Sequence, residues 1–62
     1  MVHVNIGDKI RINYMKDEPQ MTGVEGTVKY IDDFNQIHCA EFGLAVLPDM
    51  DEYEVIERAD NV

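Results

Sequence analysis

Polar and apolar side chains alternate strictly in the stretch Lys9-Ile10-Arg11-Ile12-Asn13-Tyr14. An alternation with a period of two is typical of a β-strand that buries one of its faces. It predicts a first strand with Ile10, Ile12 and Tyr14 on the same inward face. Because no stretch of the chain sustains a helical period over ten residues, we expect an all-β fold.

Four more short apolar runs follow, separated by Gly, Pro, Asn and Asp residues that favour turns. They predict strands over residues 27–31, 36–42, 44–47 and 53–56. In the third strand, Ile37 and Cys39 point to one side, and His38 and Ala40 point to the other. We expect Cys39 to lie in the core, as most free cysteines do, and His38 to be a solvated residue of the outer face.

The segments between the strands contain two prolines. Residues 15–22 read as a loop, because Pro19 cannot donate a hydrogen bond to a central ladder. Residues 48–51 predict one turn of 3₁₀ helix before the last strand. Five short strands and this turn predict a small SH3-like barrel, since a sandwich needs about seven strands and roughly 100 residues. The expected division is a single domain over residues 1–57 and a flexible tail over residues 58–62.

Size and cysteine content limit how the domain is stabilised. A chain of 62 residues makes one domain, and so short a domain buries only about 60% of the surface that its unfolded chain exposes. The single cysteine cannot form an internal disulfide, and it favours a reducing cytosol. The N-terminus lacks the pattern of a secretory signal, and nowhere do 18 apolar residues run together. We therefore expect a cytoplasmic protein without membrane contact.

The net charge of −8 is distributed unevenly along the chain. Residues 1–30 hold four acids and four bases, which cancel. Residues 31–62 hold one base, Arg58, and nine acids: Asp32, Asp33, Glu41, Asp49, Asp51, Glu52, Glu54, Glu57 and Asp60. A field of this size affects which molecules approach and how fast they associate, but it says little about the fold.

Two glycine-containing segments resemble a known motif. They are Gly7-Asp8-Lys9-Ile10-Arg11-Ile12 and Gly23-Val24-Glu25-Gly26-Thr27-Val28. Followed by Ile31, they resemble the KOW motif of ribosomal and transcription-elongation proteins, in which paired glycines allow a tight reversal and β-branched residues supply the core. This resemblance implies a KOW-like barrel.

Nearly the whole chain is similar to an uncharacterised family of short bacterial, phage and plasmid domains. The matching segments are Gly7-Asp8-Lys9-Ile10-Arg11, Tyr14-Met15, Asp17-Glu18-Pro19, Gly26-Thr27-Val28, Ile31-Asp32-Asp33, Gln36-Ile37-His38, Leu44-Ala45-Val46-Leu47-Pro48 and Asp51-Glu52-Tyr53-Glu54-Val55-Ile56. The resemblance implies a mobile-element origin and no particular chemistry, because the function of that family is unknown. The chain departs from the family at residues 39–43, which lack the basic residue and the tryptophan that members tend to place there.

Catalytic and metal-binding patterns are missing from the sequence. An EF-hand loop beginning at Asp49 would need glycine at its sixth position, where Glu54 stands. His38 and Cys39 are neighbours on a predicted strand and point to opposite faces, so they cannot act as a base and a nucleophile together. A pocket of ~300 Å³ or more is also hard to build in so small a barrel. We expect no enzyme, no cofactor, no metal and no catalytic residue.

The acidic half predicts a protein partner. Its carboxylates fall on turns, outer strand positions and the tail, where they present a negative face to a basic protein surface. We expect contact through Asp32, Asp33, Glu41, Asp49, Asp51 and Glu52. Small acidic phage proteins that inhibit restriction or CRISPR nucleases work by mimicking nucleic acid, and this chain is similar to them in size and charge. A purely solubilising role for the charge is the competing interpretation.

An alternative hypothesis follows from the KOW-like motif. Lys9, Arg11, Lys29 and Tyr30 lie in the neutral half and would form a small basic and aromatic patch for RNA or for the transcription or translation machinery. A pI near 4.3 opposes this hypothesis, because phosphate contacts supply most of non-specific nucleic-acid affinity. Self-association is a third possibility, and the sequence does not specify the oligomeric state.

Overall fold

The computed structural model of the protein describes residues 4–59, which form a single antiparallel β-sheet. Its strands are β1 (Lys9–Tyr14), β2 (Glu25–Ile31), β3 (Ile37–Cys39), β4 (Ala45–Val46) and β5 (Glu52–Glu57). Their order in the sheet is β4-β3-β2-β1-β5. The first four strands form a meander, and the chain then returns to place β5 beside β1. The predicted all-β class is confirmed, and β1 has the predicted bounds.

The two ends of the sheet are β4 and β5. Over residues 4–59, no ladder of backbone hydrogen bonds joins these two strands. The closure into an SH3-like barrel therefore stays a prediction. The consequence for function is that β4 lies at an edge of the sheet, with β3 as its ladder partner.

The core consists of the inward residues of the strands. Its buried hydrophobic members are Val4, Ile10, Ile12, Met15, Val28, Ile37, Cys39 and Val46. Opposed residues on neighbouring strands share the inner face, as Val28 does with Cys39 and Ile37 does with Val46. The predicted inward positions of Ile10, Ile12, Ile37 and Cys39 are confirmed.

The predicted inward position of Tyr14 is wrong. Its side chain is 46% exposed, and Met15 is buried in its place. The ladder between β1 and β5 shifts register between Ile12 and Tyr14. Such a β-bulge places an extra residue in one strand and reverses the side-chain alternation beyond it. The alternating pattern therefore ends at Ile12.

All four later strands differ in length from the predicted ones. β2 begins at Glu25, two residues before the predicted start, and β5 extends one residue further at each end. β3 ends at Cys39 because the chain turns there, and the Phe42 N–H donates to the Cys39 carbonyl at 3.2 Å. After this turn Phe42 packs against the core, and β4 contains only two residues.

The 3₁₀ turn occurs in a different segment from the predicted one. It spans Pro19–Met21, within residues 15–22, where a loop was expected. Pro19 presets the backbone angle of the first turn, and its carbonyl accepts the Thr22 N–H at 3.2 Å. The prediction for residues 48–51 is wrong because this turn is wider than a 3₁₀ turn. Its Leu47 carbonyl accepts N–H groups from both Met50 and Asp51, at 2.9 and 2.7 Å.

Asp8 joins the two ends of the described chain. Its fully buried carboxylate accepts the Asn5 and Ala59 N–H groups, each at 2.8 Å, and the Arg58 guanidinium at 3.2 Å. The N–H groups of Ala59 and Asn5, followed by the charge of Arg58, hold the pKa of Asp8 below its ordinary value. Arg58 and Ala59, the first two residues of the predicted tail, are therefore attached to the sheet. Residues 60–62 of that tail lie outside the described residues.

Candidate functional site

The turn between β4 and β5 is organised by Asp51. Its side chain is only 8% exposed, and its carboxylate accepts the Leu47 N–H at 2.9 Å and the Lys16 N–H at 3.2 Å. Buried carboxylates require such donors, because a charge that has lost its water is costly without them. Asp51 thereby fixes the turn at residues 47–51 and ties it to the loop that follows β1.

A cleft of about 440 Å³ lies between that loop and that turn. We call it the Met50 cleft. Its lining residues are Met15, Asp17, Glu18, Leu44, Ala45, Leu47, Met50 and Asp51. The apolar side chains form most of this surface, and Met50 is 44% exposed. Clefts of this volume are large enough to enclose side chains or small ligands.

The Met50 cleft exceeds the volume of ~300 Å³ that is hard to build in so small a barrel. The cleft arises because β4 is two residues long and lies at the edge of the sheet. Residues of the segments 15–18 and 47–51 form the walls of this cleft, which is open to solvent. Their attachment through Asp51 keeps the two walls in a fixed relation.

A second, smaller cleft of about 190 Å³ lies against the same turn. We call it the Phe34 cleft. Its lining residues are Phe34, Gln36, Leu47, Pro48, Asp49 and Met50. Leu47 and Met50 line both clefts, so the two share a wall. Phe34 is 81% exposed and contributes apolar surface to this cleft.

The turn that presents Phe34 is held by Asp32. One carboxylate oxygen, Oδ1, accepts the Phe34 and Gln36 N–H groups, each at 2.9 Å. The other, Oδ2, is 3.0 Å from Nε2 of His38. The hydrogen bond with His38 is the largest cause of a lowered pKa at Asp32. His38 is therefore engaged with Asp32, and about a third of its side chain stays exposed, so it is only partly solvated.

Three of the six acids predicted to contact a partner have structural hydrogen bonds. They are Asp32, Glu41 and Asp51. Glu41 accepts the Thr27 N–H at 2.7 Å, which lowers the pKa of Glu41 and ties the segment after β3 to β2. Of these three, Asp51 is buried, so its carboxylate builds the turn and presents little surface to a partner.

The other three predicted acids are exposed. They are Asp33, Asp49 and Glu52. Asp49 lines the Phe34 cleft, and Asp33 precedes Phe34 in the same turn. Glu52 lies on β5 opposite Tyr14 and lines neither cleft. Of the six predicted acids, Asp49 and Asp51 therefore line a cleft, Asp33 is next to the cleft residue Phe34 in the sequence, and Glu52 and Glu41 line neither cleft.

The sequence analysis missed Asp17 and Glu18 as candidate site residues. They belong to the half of the chain whose charges cancel in the sequence, yet both line the Met50 cleft. The available signal was a pair of acids between an apolar residue, Met15, and a proline, Pro19. That pattern indicates an exposed acidic loop, but nothing local indicates that the 47–51 turn lies across from it.

The bases proposed for nucleic acid are partly neutralised by neighbouring acids. Arg11 on β1 lies 3.1 Å from Glu54 and 3.9 Å from Glu25, and Lys9 lies 3.7 Å from Glu25. Such exposed ion pairs contribute little to stability. They do reduce the positive potential that a phosphate backbone would meet on the outer face of β1.

Lys29 and Tyr30, the other two residues of that hypothesis, are exposed at a β-bulge. The register of the β2–β3 ladder shifts between Val28 and Tyr30, which leaves Lys29 without an opposite residue. The Tyr30 ring is 5.4 Å from the His38 ring, measured between centroids, and is tilted by 43°. This arrangement leaves 52% of Tyr30 accessible.

The described residues hold neither a cluster of metal ligands nor a membrane-spanning helix. In the part of the chain that the structure describes, no three His, Cys, Asp or Glu side chains are grouped as metal ligands are. None of the helical segments at residues 4–59 has the length and apolar character needed to cross a membrane. The expected absence of an enzyme activity and of a cofactor stays a prediction.

Known proteins add no assignment to this site. Comparison of the chain with protein-family models, with curated proteins and with solved structures finds no match. The resemblance to the KOW motif and to short bacterial, phage and plasmid domains therefore stays a prediction, and the function has to be argued from the clefts and the charges.

Proposed function

We propose that this protein is a non-enzymatic binding module that uses an acidic surface to hold a basic protein. The observation that carries the proposal is the Met50 cleft, where apolar side chains and the carboxylates of Asp17 and Glu18 lie together. An apolar patch beside charges of one sign favours a partner with the opposite charge and its own apolar side chains.

The distribution of charge in the fold supports this proposal. Three of the five bases face acids at close range: Lys9, Arg11 and Arg58. The acids at Asp17, Asp33 and Asp49 are exposed at or beside the clefts. With a net charge of −8, this surface attracts a basic partner over a distance and accelerates its association.

In its most specific form, the proposal is a cytosolic inhibitor encoded by a phage or another mobile element. It mimics nucleic acid on a basic host-defence nuclease, as anti-CRISPR proteins do. The small size, the net charge and the sequence resemblance support this form. The buried, unpaired Cys39 fits a reducing compartment.

The test begins with the tagged protein as bait in bacterial cytosol and continues with kinetics on each purified partner. Replacement of two exposed acids together, Asp33→Asn and Asp49→Asn, should slow association and weaken its dependence on salt. The matched control, Glu54→Gln with Glu57→Gln on β5, changes the net charge equally and should have a smaller effect. An association rate that is insensitive to salt and to both pairs would refute the proposal.

Binding to RNA is the competing function, favoured by the exposure of Tyr30 beside Lys29. A filter-binding titration with single-stranded RNA at low salt separates the two functions. The proposed protein-binding role predicts no measurable RNA affinity. Affinity that falls steeply with added salt and disappears in Lys29→Gln or Tyr30→Ser would favour the KOW-like accessory domain instead.

A further inference from the structure

The Met50 cleft has features that select a particular kind of occupant. Its lining includes four large apolar side chains, Met15, Leu44, Leu47 and Met50, and three acidic ones. Asp17 and Glu18 form the acidic wall, and the third, Asp51, is buried and hydrogen-bonded within its own turn. Lys16, the base of this loop, does not line the cleft. The occupant must therefore bring an apolar group for the cleft and positive charge for its acidic wall.

The position of β4 adds a backbone contact. Ala45 and Val46 pair with His38 and Ile37 on one side of β4, and the other side is the edge of the sheet. Residues in an antiparallel ladder direct their N–H and C=O groups alternately to the two sides. One of the two residues of β4 therefore presents these groups away from β3, and Ala45 also lines the cleft. An extended chain can use such an edge.

The charge of the cleft also indicates whether its occupant is a segment of another protein or a second copy of this chain. Two copies joined at the cleft would bring two acidic walls together, which is unfavourable. A basic segment of another protein is attracted by the same walls. Its long Lys and Arg side chains would place their apolar stems along Leu47 and Met50 while their charges reach Asp17 and Glu18.

We propose that the Met50 cleft binds an extended basic segment of a partner protein, which inserts one apolar side chain between Met15, Leu47 and Met50. Its flanking Lys or Arg residues face Asp17 and Glu18, and its backbone lies along β4. This inference rests on the proposed protein-binding function and assigns it to one cleft. The Phe34 cleft and the turn at Asp33 lie on the far side of Leu47 and Met50 and form the border of this site.

The test uses synthetic ten-residue peptides of defined composition and the intact protein. The first peptide carries one leucine among lysines and arginines, the second has serine in place of the leucine, and the third has glutamates in place of the bases. Fluorescence anisotropy should give the tightest Kd for the first peptide, a Kd at least about fivefold weaker for the second, and no binding for the third.

Two variants test the two features of the cleft separately. Met50→Gln removes apolar surface from a side chain that is already 44% exposed, and Asp17→Lys reverses one charge of the wall. Each variant should raise the Kd of the first peptide by about fivefold or more. The controls are Ile56→Gln, another partly exposed apolar residue, and Glu57→Lys, another exposed acid, both on β5. They should leave the Kd within about twofold. Circular dichroism checks that all four variants are folded.

The outcomes separate this inference from the function on which it rests. If Met50→Gln and Asp17→Lys bind the first peptide as tightly as Ile56→Gln and Glu57→Lys do, the assignment to this cleft is wrong. Equal affinity for the leucine and serine peptides would also overturn it, because the cleft would then have no part in selection. If the same variants fail to affect a partner from the cytosol while the paired changes at Asp33 and Asp49 do, the protein-binding function stands and only the cleft is refuted.

Discussion

Replacement of Asp8 tests how the two ends of this small fold are held together. The buried Asp8 carboxylate accepts two backbone N–H groups at 2.8 Å, from Asn5 and Ala59, and the Arg58 guanidinium at 3.2 Å. Hydrogen bonds to a charged group contribute roughly 1.5–3 kcal/mol each. The lower value applies here, because Asn5 and Ala59 are themselves exposed and water can replace the lost acceptor. Loss of the two backbone bonds in Asp8→Ala should therefore cost about 3 kcal/mol.

This loss is large for a chain of 62 residues, because total stabilities run at roughly 0.05–0.15 kcal/mol per residue, or about 3–9 kcal/mol here. With a urea slope of about 1 kcal/mol per molar, the unfolding midpoint should fall by about 3 M. Asp8→Asn keeps an acceptor oxygen and should lose less. The matched control is Asp33→Asn, at an exposed acid, which should change stability by no more than about 0.5 kcal/mol.

The same experiment has a pH dependence of known sign. The folded pKa of Asp8 lies below its ordinary value of 3.8. Its contribution to stability is thus fully present above that value and is lost as the pH falls through the folded pKa. Asp8→Asn should make the loss of stability at acid pH smaller. It should not abolish this loss, because Asp32 and Glu41 also have lowered pKa values. If Asp8→Asn unfolds at the same urea concentration as Asp33→Asn at neutral pH, the reasoning about this carboxylate is refuted.

Three further predictions concern the core and the turn. Burial raises the pKa of the Cys39 thiol to about 11, so a thiol reagent at pH 8 should label it only as fast as the protein unfolds; immediate stoichiometric labelling would contradict this. A methyl group on Gly26 would lie 2.9 Å from the Phe42 ring, so Gly26→Ala should lower the free energy of unfolding in urea by about 1–3 kcal/mol. Its control is Gly43→Ala, where the added methyl group would meet nothing within 4 Å and the free energy of unfolding should change little. Asp51→Ala should cost about 2 kcal/mol and remove the hydrogen-exchange protection of the Leu47 amide; unchanged protection would contradict the role given to Asp51.

The features that could be predicted from the sequence are local ones. The alternation at Ile10 and Ile12 is a property of six consecutive residues, and it correctly placed both side chains in the core. The positions of Ile37 and Cys39 followed from the same rule. The rule failed at Tyr14, because the bulge there depends on how β1 pairs with β5, a strand that begins about forty residues later.

The clefts could not be predicted for the same reason. Asp17 and Met50 are separated by more than thirty residues, and they become neighbours only when Asp51 binds the backbone of Lys16. The six acids were chosen by their density along the sequence, which does not distinguish Asp49, exposed at a cleft, from Asp51, buried and hydrogen-bonded. A carboxylate that organises a turn and one that meets a partner have the same residue type and differ only in their tertiary contacts.

The most direct test of the account is a nuclear magnetic resonance titration of the isotope-labelled protein with the leucine-containing basic peptide. The backbone amides of residues 15–18, 44–47 and 49–51 should shift together and saturate, and Asp17→Lys should reduce the shifts at a given peptide concentration. Shifts centred on β1 and Tyr30 that leave residues 44–51 unchanged would contradict the claim that the acidic cleft is the binding surface.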